Sequence, residues 1–268
     1  MTGVSKRRRL LREHYHQFFN LNRPEGYDLV EHPDYSHNGA KPKRDGGSGL
    51  KSIVNSWHKA FDPNVNIVIE IEEDDFLAIY WVSNPTVAGG EGNRLPPMHG
   101  INVYRWDGDK IIENYHVKST LYEPMPGGDS VVNPMHEKVS PERQIVREHY
   151  LHFFNRNDPA AYDMAAHPKY THNRIKPKSP DGSGLKAWVD GLHKVKWPNV
   201  NLAIEIEETF NAGSDQEEKF VGVYWVSNGV TRDTGQSRLA PNHGFNVYRF
   251  KDDRIFENFH AKGHLYEV

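Results

Sequence analysis

Apolar side chains along this chain follow two periods, and the switch from one to the other occurs twice. From about Ser5 to Asn20, the residues Leu10, Leu11, Tyr15, Phe18 and Phe19 fall at helical spacing. The same spacing returns from Ser140 to Asn155. There Ser140-Pro141-Glu142 is a start signal: the hydroxyl can cap, proline suits the first turn, and the carboxylate favours the positive helix end. Gly49-Leu50 opens a second predicted helix through Ile53, Val54, Trp57 and His58, and its counterpart runs through Leu185, Trp188, Val189, Leu192 and His193. The period then drops to two. Val65, Ile67, Ile69 and Ile71 alternate with Asn66, Val68, Glu70 and Glu72, which is strand spacing. Asp74-Asp75 predicts a turn and Phe76 to Ser83 a second strand. His99 to Trp106 predicts a third, Asp107-Gly108-Asp109-Lys110 a hairpin turn, and Ile111 to Lys118 a fourth. Helices followed by an antiparallel meander predict an α+β fold with helices on one side of a curved sheet.

The pattern recurs because the chain repeats itself. Val4 to Glu73 matches Val139 to Glu208 at an offset of 135; after a longer loop in the second copy, Tyr80-Trp81-Val82-Ser83-Asn84 matches Tyr224-Trp225-Val226-Ser227-Asn228. Two long copies predict a duplicated domain rather than a solenoid of short units. The expected boundaries are 1–123 for the first domain, 124–138 for a linker rich in Pro and Gly, and 139–268 for the second domain.

Composition narrows the function. The chain has 268 residues and a formal net charge of -3, which argues against a general polyanion-binding surface, so no nucleic-acid partner is expected. The basic run Lys6-Arg7-Arg8-Arg9 has Pro141-Glu142-Arg143-Gln144 as its counterpart, and reads as a solvated helix face. There is no cysteine, hence no disulfide, thiolate metal site or cysteine nucleophile. No apolar run approaches a membrane span and no signal-peptide apolar region follows Met1, so a soluble cytoplasmic protein is expected.

The 16 histidines carry the candidate chemistry. The stretch His32-Pro33-Asp34-Tyr35-Ser36-His37-Asn38 returns as His167-Pro168-Lys169-Tyr170-Thr171-His172-Asn173. It gathers a hydroxyl, an imidazole and an amide, which can donate, accept and transfer protons near neutral pH. In the last strand, period two puts Ile112, Asn114 and His116 on one face, with Phe256, Asn258 and His260 as counterparts. In the strand before it, His99 lies with Ile101 and Val103, and His243 with Phe245 and Val247. A single strand histidine is more often packing than catalysis. His32 and His167 suit a turn. For His58 and His193, a helix-end role and a pocket role weigh equally. His37, His99, His116, His172, His243 and His260 are the stronger catalytic candidates.

Several of these motifs together resemble the SnoaL-like polyketide cyclases and predicted aldol-condensing enzymes of the nuclear transport factor 2-like superfamily. They are Tyr-x-His-Asn before a Gly-x-Gly-Leu helix start, a late His-Gly, Asn-Val-Tyr-Arg, a charged turn and Lys-Ile-Ile-Glu-Asn-Tyr-His. The resemblance covers Ser5 to Glu123 and Ser140 to Glu267. It implies two tandem cone-shaped barrels, each with helices packed in a strongly curved, mostly antiparallel sheet around a pocket for a small apolar molecule. It also implies an intramolecular pseudo-dimer, open to further oligomerisation. The chain departs from the family at one position. Where the cyclases carry a catalytic aspartate after an aromatic residue, His116 follows Tyr115 and His260 follows Phe259.

The expectation is a cofactor-independent lyase or isomerase, with no metal, acting on a small carbonyl or polyketide-like compound by dehydration, cyclisation or aldol chemistry. His116 and His260 would act as base, and His37 and His172 as acid or oxyanion partner. Tyr35, Asn38, His58 and Asn114, with Tyr170, Asn173, His193 and Asn258, would bind substrate. Two alternatives stand beside it: a metal held by three imidazoles with Glu72 or Glu207, and a non-catalytic binding module.

Overall fold

The computed structural model describes residues 4–37, 48–89, 93–116, 139–173, 179, 182–195, 199–211, 217–228 and 242–260. The chain divides into two compact units, Met1–Ser130 and Val131–Val268; the expected linker, 124–138, lies outside the described residues.

In the first unit, α1 (Lys6–His14) starts at Ser5, whose hydroxyl accepts from the Arg8 amide. The sequence predicts one α-helix to Asn20. Instead the last turn, Tyr15–Asn20, is π-helical, and so is His149–Asn155 after α4 (Pro141–Glu148). A widened turn lets consecutive aromatic residues pack together: Tyr15 and Phe18 each stand 4.9 Å from Phe19, ring centre to ring centre. The unit continues with α2 (Glu25–Asp28), β1 (Glu31–His37), α3 (Ser48–Ala60), β2 (Phe61–Asp62), β3 (Val65–Glu73), β4 (Phe76–Ser83), β5 (Thr86–Val87), β6 (Met98–Asp107) and β7 (Lys110–His116). In the second unit, α5 (Pro159–Ala165), β8 (Ala166–His172), α6 (Ser183–Val195), β9 (Asn199–Asn211), β10 (Glu217–Asn228), β11 (Asn242–Lys251) and β12 (Arg254–His260) follow α4.

Each unit carries one curved five-stranded sheet, ordered β1-β7-β6-β4-β3 and β8-β12-β11-β10-β9. The order is open, not a closed barrel: β1 and β3 are the two edges. All pairings are antiparallel except β1 with β7 and β8 with β12. The α+β class and the curved, mostly antiparallel sheet are thus as the sequence predicts.

One face of the first sheet packs on α1. Leu77 and Ile79 of β4, Tyr104 and Trp106 of β6, Val65 of β3 and Ile111 of β7 bury there with Leu11 and Tyr15. Burying each such large side chain contributes about 1.5–3 kcal/mol. The uninterrupted alternation expected along β3 does not hold. A bulge between Ile67 and Ile69 moves Ile69 and Ile71 to the other face and turns Glu70 and Glu72 towards α1. There Arg12 forks onto Glu70, Arg8 lies 3.2 Å from Glu72, and the Ser5 hydroxyl donates to Glu72. Arg147 with Glu205 at 2.7 Å and Arg143 with Glu207 at 2.9 Å repeat the arrangement. Of the basic run, Lys6 and Arg9 stay exposed as expected, Lys6 pairing at the surface with Asp109, while Arg8 turns to the sheet and pairs with Glu72.

Candidate active site

The parallel pairing of β1 with β7 assembles the site. It sets His37 opposite Asn114, two residues before His116 on the same face. The His37 and His116 rings meet edge-on with centroids 6.1 Å apart. In the second unit His172 stands opposite Asn258, and its ring lies 6.0 Å from that of His260. The Tyr35 hydroxyl is 3.4 Å from His37 Nδ1, and that of Tyr170 is 3.5 Å from His172 Nδ1.

Behind the imidazoles runs a polar chain that the sequence reading missed. The Trp81 indole donates to Asn102 Oδ1 at 2.8 Å, and Asn102 Nδ2 donates to Asn114 Oδ1 at 3.0 Å. Trp225, Asn246 and Asn258 repeat it, with both bonds at 2.8 Å. Tyr15 and Tyr104 share a hydroxyl–hydroxyl bond of 2.8 Å; Tyr248 donates to Tyr150 at 2.9 Å. The available signal was Asn102, a polar residue between Ile101 and Val103 in an otherwise apolar run, with Asn246 as its twin. Glycine makes room for the indole, since a Cβ at Gly100 would lie 2.3 Å from Trp81 Cζ2, and one at Gly244 2.0 Å from Trp225 Cζ2.

Burial sets the charges. His37 is held down to about 3, first by desolvation and then by repulsion from His116. At neutral pH it is therefore a neutral imidazole. His116 beside it is half-buried, whereas His37 is buried. Burial raises the Tyr15 and Tyr150 hydroxyls well above the ordinary tyrosine value despite their hydrogen bonds, so both stay protonated.

Other expected site residues sit elsewhere. His99 projects from the opposite face of the sheet, in register with Val82, and its Nδ1 is 3.4 Å from the Tyr80 hydroxyl; burial lowers its pKa. It does not join His37 and His116. The side chain of His243 and the whole of Asn38 lie outside the described residues. His58 and His193 cap the π-helical turns: their Nε2 atoms lie 2.8 Å from the Phe19 carbonyl and 2.6 Å from that of Phe154. Asn173, in the left-handed region at φ 49°, gives both ends of its side chain to the main chain of His260, at 2.8 Å each, and so fastens β8 rather than facing a ligand. Glu72 and Glu207 are held by arginines, which removes them from the alternative metal set. Among the described residues, no three His, Asp or Glu side chains gather as metal ligands, and no helix is long and apolar enough to cross a membrane.

Residues 9–121 match the SnoaL-like polyketide cyclase family. No curated protein matches. Among solved structures, TsrD from Streptomyces laurentii is 16% identical, covering 42% of this chain and 88% of its own, with a TM-score of 0.35. A SnoaL-like polyketide cyclase from Agrobacterium tumefaciens is 15% identical, covering 44% and 94%, with a TM-score of 0.34. An NTF2-like protein of unknown function from Burkholderia pseudomallei is 15% identical, covering 42% and 89%, with a TM-score of 0.30. The family match lies within the first unit, and the second unit repeats the strand order and the interior polar side chains of the first.

Proposed function

We propose that the chain is an enzyme of lyase or isomerase type that forms an enolate from a small apolar carbonyl or polyketide-like compound, without a cofactor. The family of the first unit supports a cyclase or isomerase type of function. The observation that carries the finer reading is the pair of unequally buried imidazoles, His37–His116 and His172–His260, at the same place in each unit. His116 stands where the related cyclases carry an aspartate, and serves as the base. It takes a proton from the carbon next to the carbonyl; the electron pair of that C–H bond becomes the new C=C bond, and the carbonyl π pair moves onto the oxygen. The enolate then expels a β-hydroxyl group, which leaves as water with the proton from His116, or attacks a second carbonyl and closes a ring.

His37 has a different part from the acid first expected. An imidazole held to about 3 is not an imidazolium at neutral pH and is no general acid, so it acts as a neutral hydrogen-bonding partner. The Tyr35 hydroxyl, 3.4 Å from Nδ1, is its neighbour in the same strand. His99, on the other face of the sheet, takes no part.

The test is exchange of α-hydrogens in a panel of β-diketones in heavy water, followed by proton NMR. The wild type is expected to exceed the double variant His116→Ala/His260→Ala by about 10²–10⁴-fold, the usual worth of positioned acid–base groups. Exchange by the wild type no faster than by that variant would refute the reading.

A further inference from the structure

The polar chain behind the histidines has a fixed direction. An indole N–H can only donate, so the Asn102 atom 2.8 Å from Trp81 Nε1 is the carbonyl oxygen. The amide nitrogen of Asn102 then faces Asn114, and meets its oxygen at 3.0 Å. Two NH₂ groups could not pair there. The orientation of Asn114, two residues away along the hydrogen bonds, is thus set by a tryptophan. Its carbonyl is turned towards β6, which leaves its two N–H groups on the side of β1, where its register partner is His37. In the second unit Trp225 and Asn246 orient Asn258 in the same way, and the Tyr150 hydroxyl gives Asn246 Oδ1 a second donor at 3.1 Å. Among the described residues, no protein acceptor takes the N–H groups of Asn114 or Asn258.

We propose that Asn114 and Asn258 are obligate donors that select ligands presenting an ionised oxygen, an enolate or a phenolate. Trp81–Asn102 and Trp225–Asn246 are positioning residues that lock this polarity. An amide free to flip would offer its oxygen as readily as its nitrogen, and would accept a hydroxyl or an ammonium equally well. The lock removes that choice. The neighbouring His37 is a neutral ring and adds no positive charge, so discrimination between an oxyanion and its protonated form falls on oriented N–H groups. The inference rests on the His37–His116 interior being the site, but concerns binding and not turnover.

The probe is 2-naphthol, an unreactive phenol whose fluorescence distinguishes the neutral form from naphtholate. Titrations of the intact chain on either side of its ionisation yield the ratio of the two affinities. The wild type is expected to favour naphtholate. Asn114→Asp/Asn258→Asp keeps shape and the bond from Asn102 but supplies no donor, and should cut the preference by about tenfold or more. Trp81→Phe/Trp225→Phe should lower it about threefold while leaving the affinity for neutral naphthol unchanged, which a general loss of structure would not do. If that variant does not fold, Asn102→Asp/Asn246→Asp tests the same link, because a carboxylate accepts from the indole but has no N–H for Asn114. An unaltered preference in the Asn114 variant, equal affinity for both forms in the wild type, or no binding of either form would each overturn the proposal. A chain that prefers naphtholate by this rule yet exchanges no diketone hydrogens would sink the catalytic reading alone.

Discussion

Replacing His149 with phenylalanine removes a group that the second unit cannot charge without opening. His149 is buried, stacks on Phe153 at 5.2 Å, and its Nδ1 has no hydrogen-bond partner among the described residues. Burial holds it down to about 3. Its twin His14 is held to about 4, the small difference being the Gly26 carbonyl, 2.8 Å from Nδ1. The second unit has Ala161 at the place of Gly26, where a Cβ would lie 2.6 Å from Gln17 Cβ and 2.8 Å from the Phe18 nitrogen, so the short helix cannot come as close. In the unfolded chain either imidazole binds a proton near about 6.5. The native value lies below the unfolded one, so the unfolded state holds more protons between them. Stability is complete above about pH 6.5 and falls as the pH drops towards the native value. At about pH 5, some 1.5 units below the unfolded value, each ring costs roughly 2 kcal/mol. His149→Phe and His14→Phe should each abolish that cost. Packing changes from the larger ring are the same at both pH values and cancel in the difference. The assay is urea unfolding near about pH 7.5 and about pH 5, following the transition of the substituted unit with the slope checked for constancy. The difference between variant and wild type should move by about 2 kcal/mol in the variant's favour at the lower pH. At the higher pH His14→Phe should cost about 1 kcal/mol more than His149→Phe, because it strands the Gly26 carbonyl. A movement below about 0.5 kcal/mol, or an NMR titration of His149 in the folded protein with a midpoint near about 6.5, would refute the reasoning.

Two further substitutions probe the frame around the site. Gly100→Ala and Gly244→Ala drive a methyl group into the Trp81 or Trp225 indole; each should cost about 1–3 kcal/mol, and a thermal midpoint equal to wild type would show that the indole yields freely. Asn20 closes the first π-helical turn by pairing with both main-chain groups of Val65, at 2.9 and 2.6 Å, as Asn155 does with Val200 at 3.2 and 2.7 Å. Asn20→Ala should cost roughly 1–3 kcal/mol in urea unfolding, with the larger part due to the stranded Val65 groups, and an unchanged midpoint would remove that role.

Much of the frame is legible without coordinates. The duplication, the helix starts and the strands all follow from residue spacing, because periods of 3.6 and two are properties of the local backbone. Spacing also places Asn114 with His116, and puts His99 and Asn102, three residues apart on β6, on opposite faces of the strand. What it cannot convey is that the face carrying His99 is the other face from the one carrying His116, since this depends on how β6 and β7 pair. The bulge in β3 is equally hidden: an unbroken alternation in the sequence gives no sign that Glu70 and Glu72 turn to meet Arg12 and Arg8.

By itself the sequence determined that two similar α+β units exist, and that each carries Tyr, His and Asn in one short stretch and Asn and His in another. Only the tertiary structure decided which of these meet. The parallel addition of β1 beside β7, a pairing between segments about 77 residues apart in the chain, brings His37 to Asn114 and His116. The same packing assigns His58 and Asn173 to main-chain partners and lines Trp81, Asn102 and Asn114 into one directed chain. The physical reason is that register and desolvation are non-local. A histidine's proton affinity is set by what surrounds it in space, and for His37 those surroundings come from strands the local sequence does not specify.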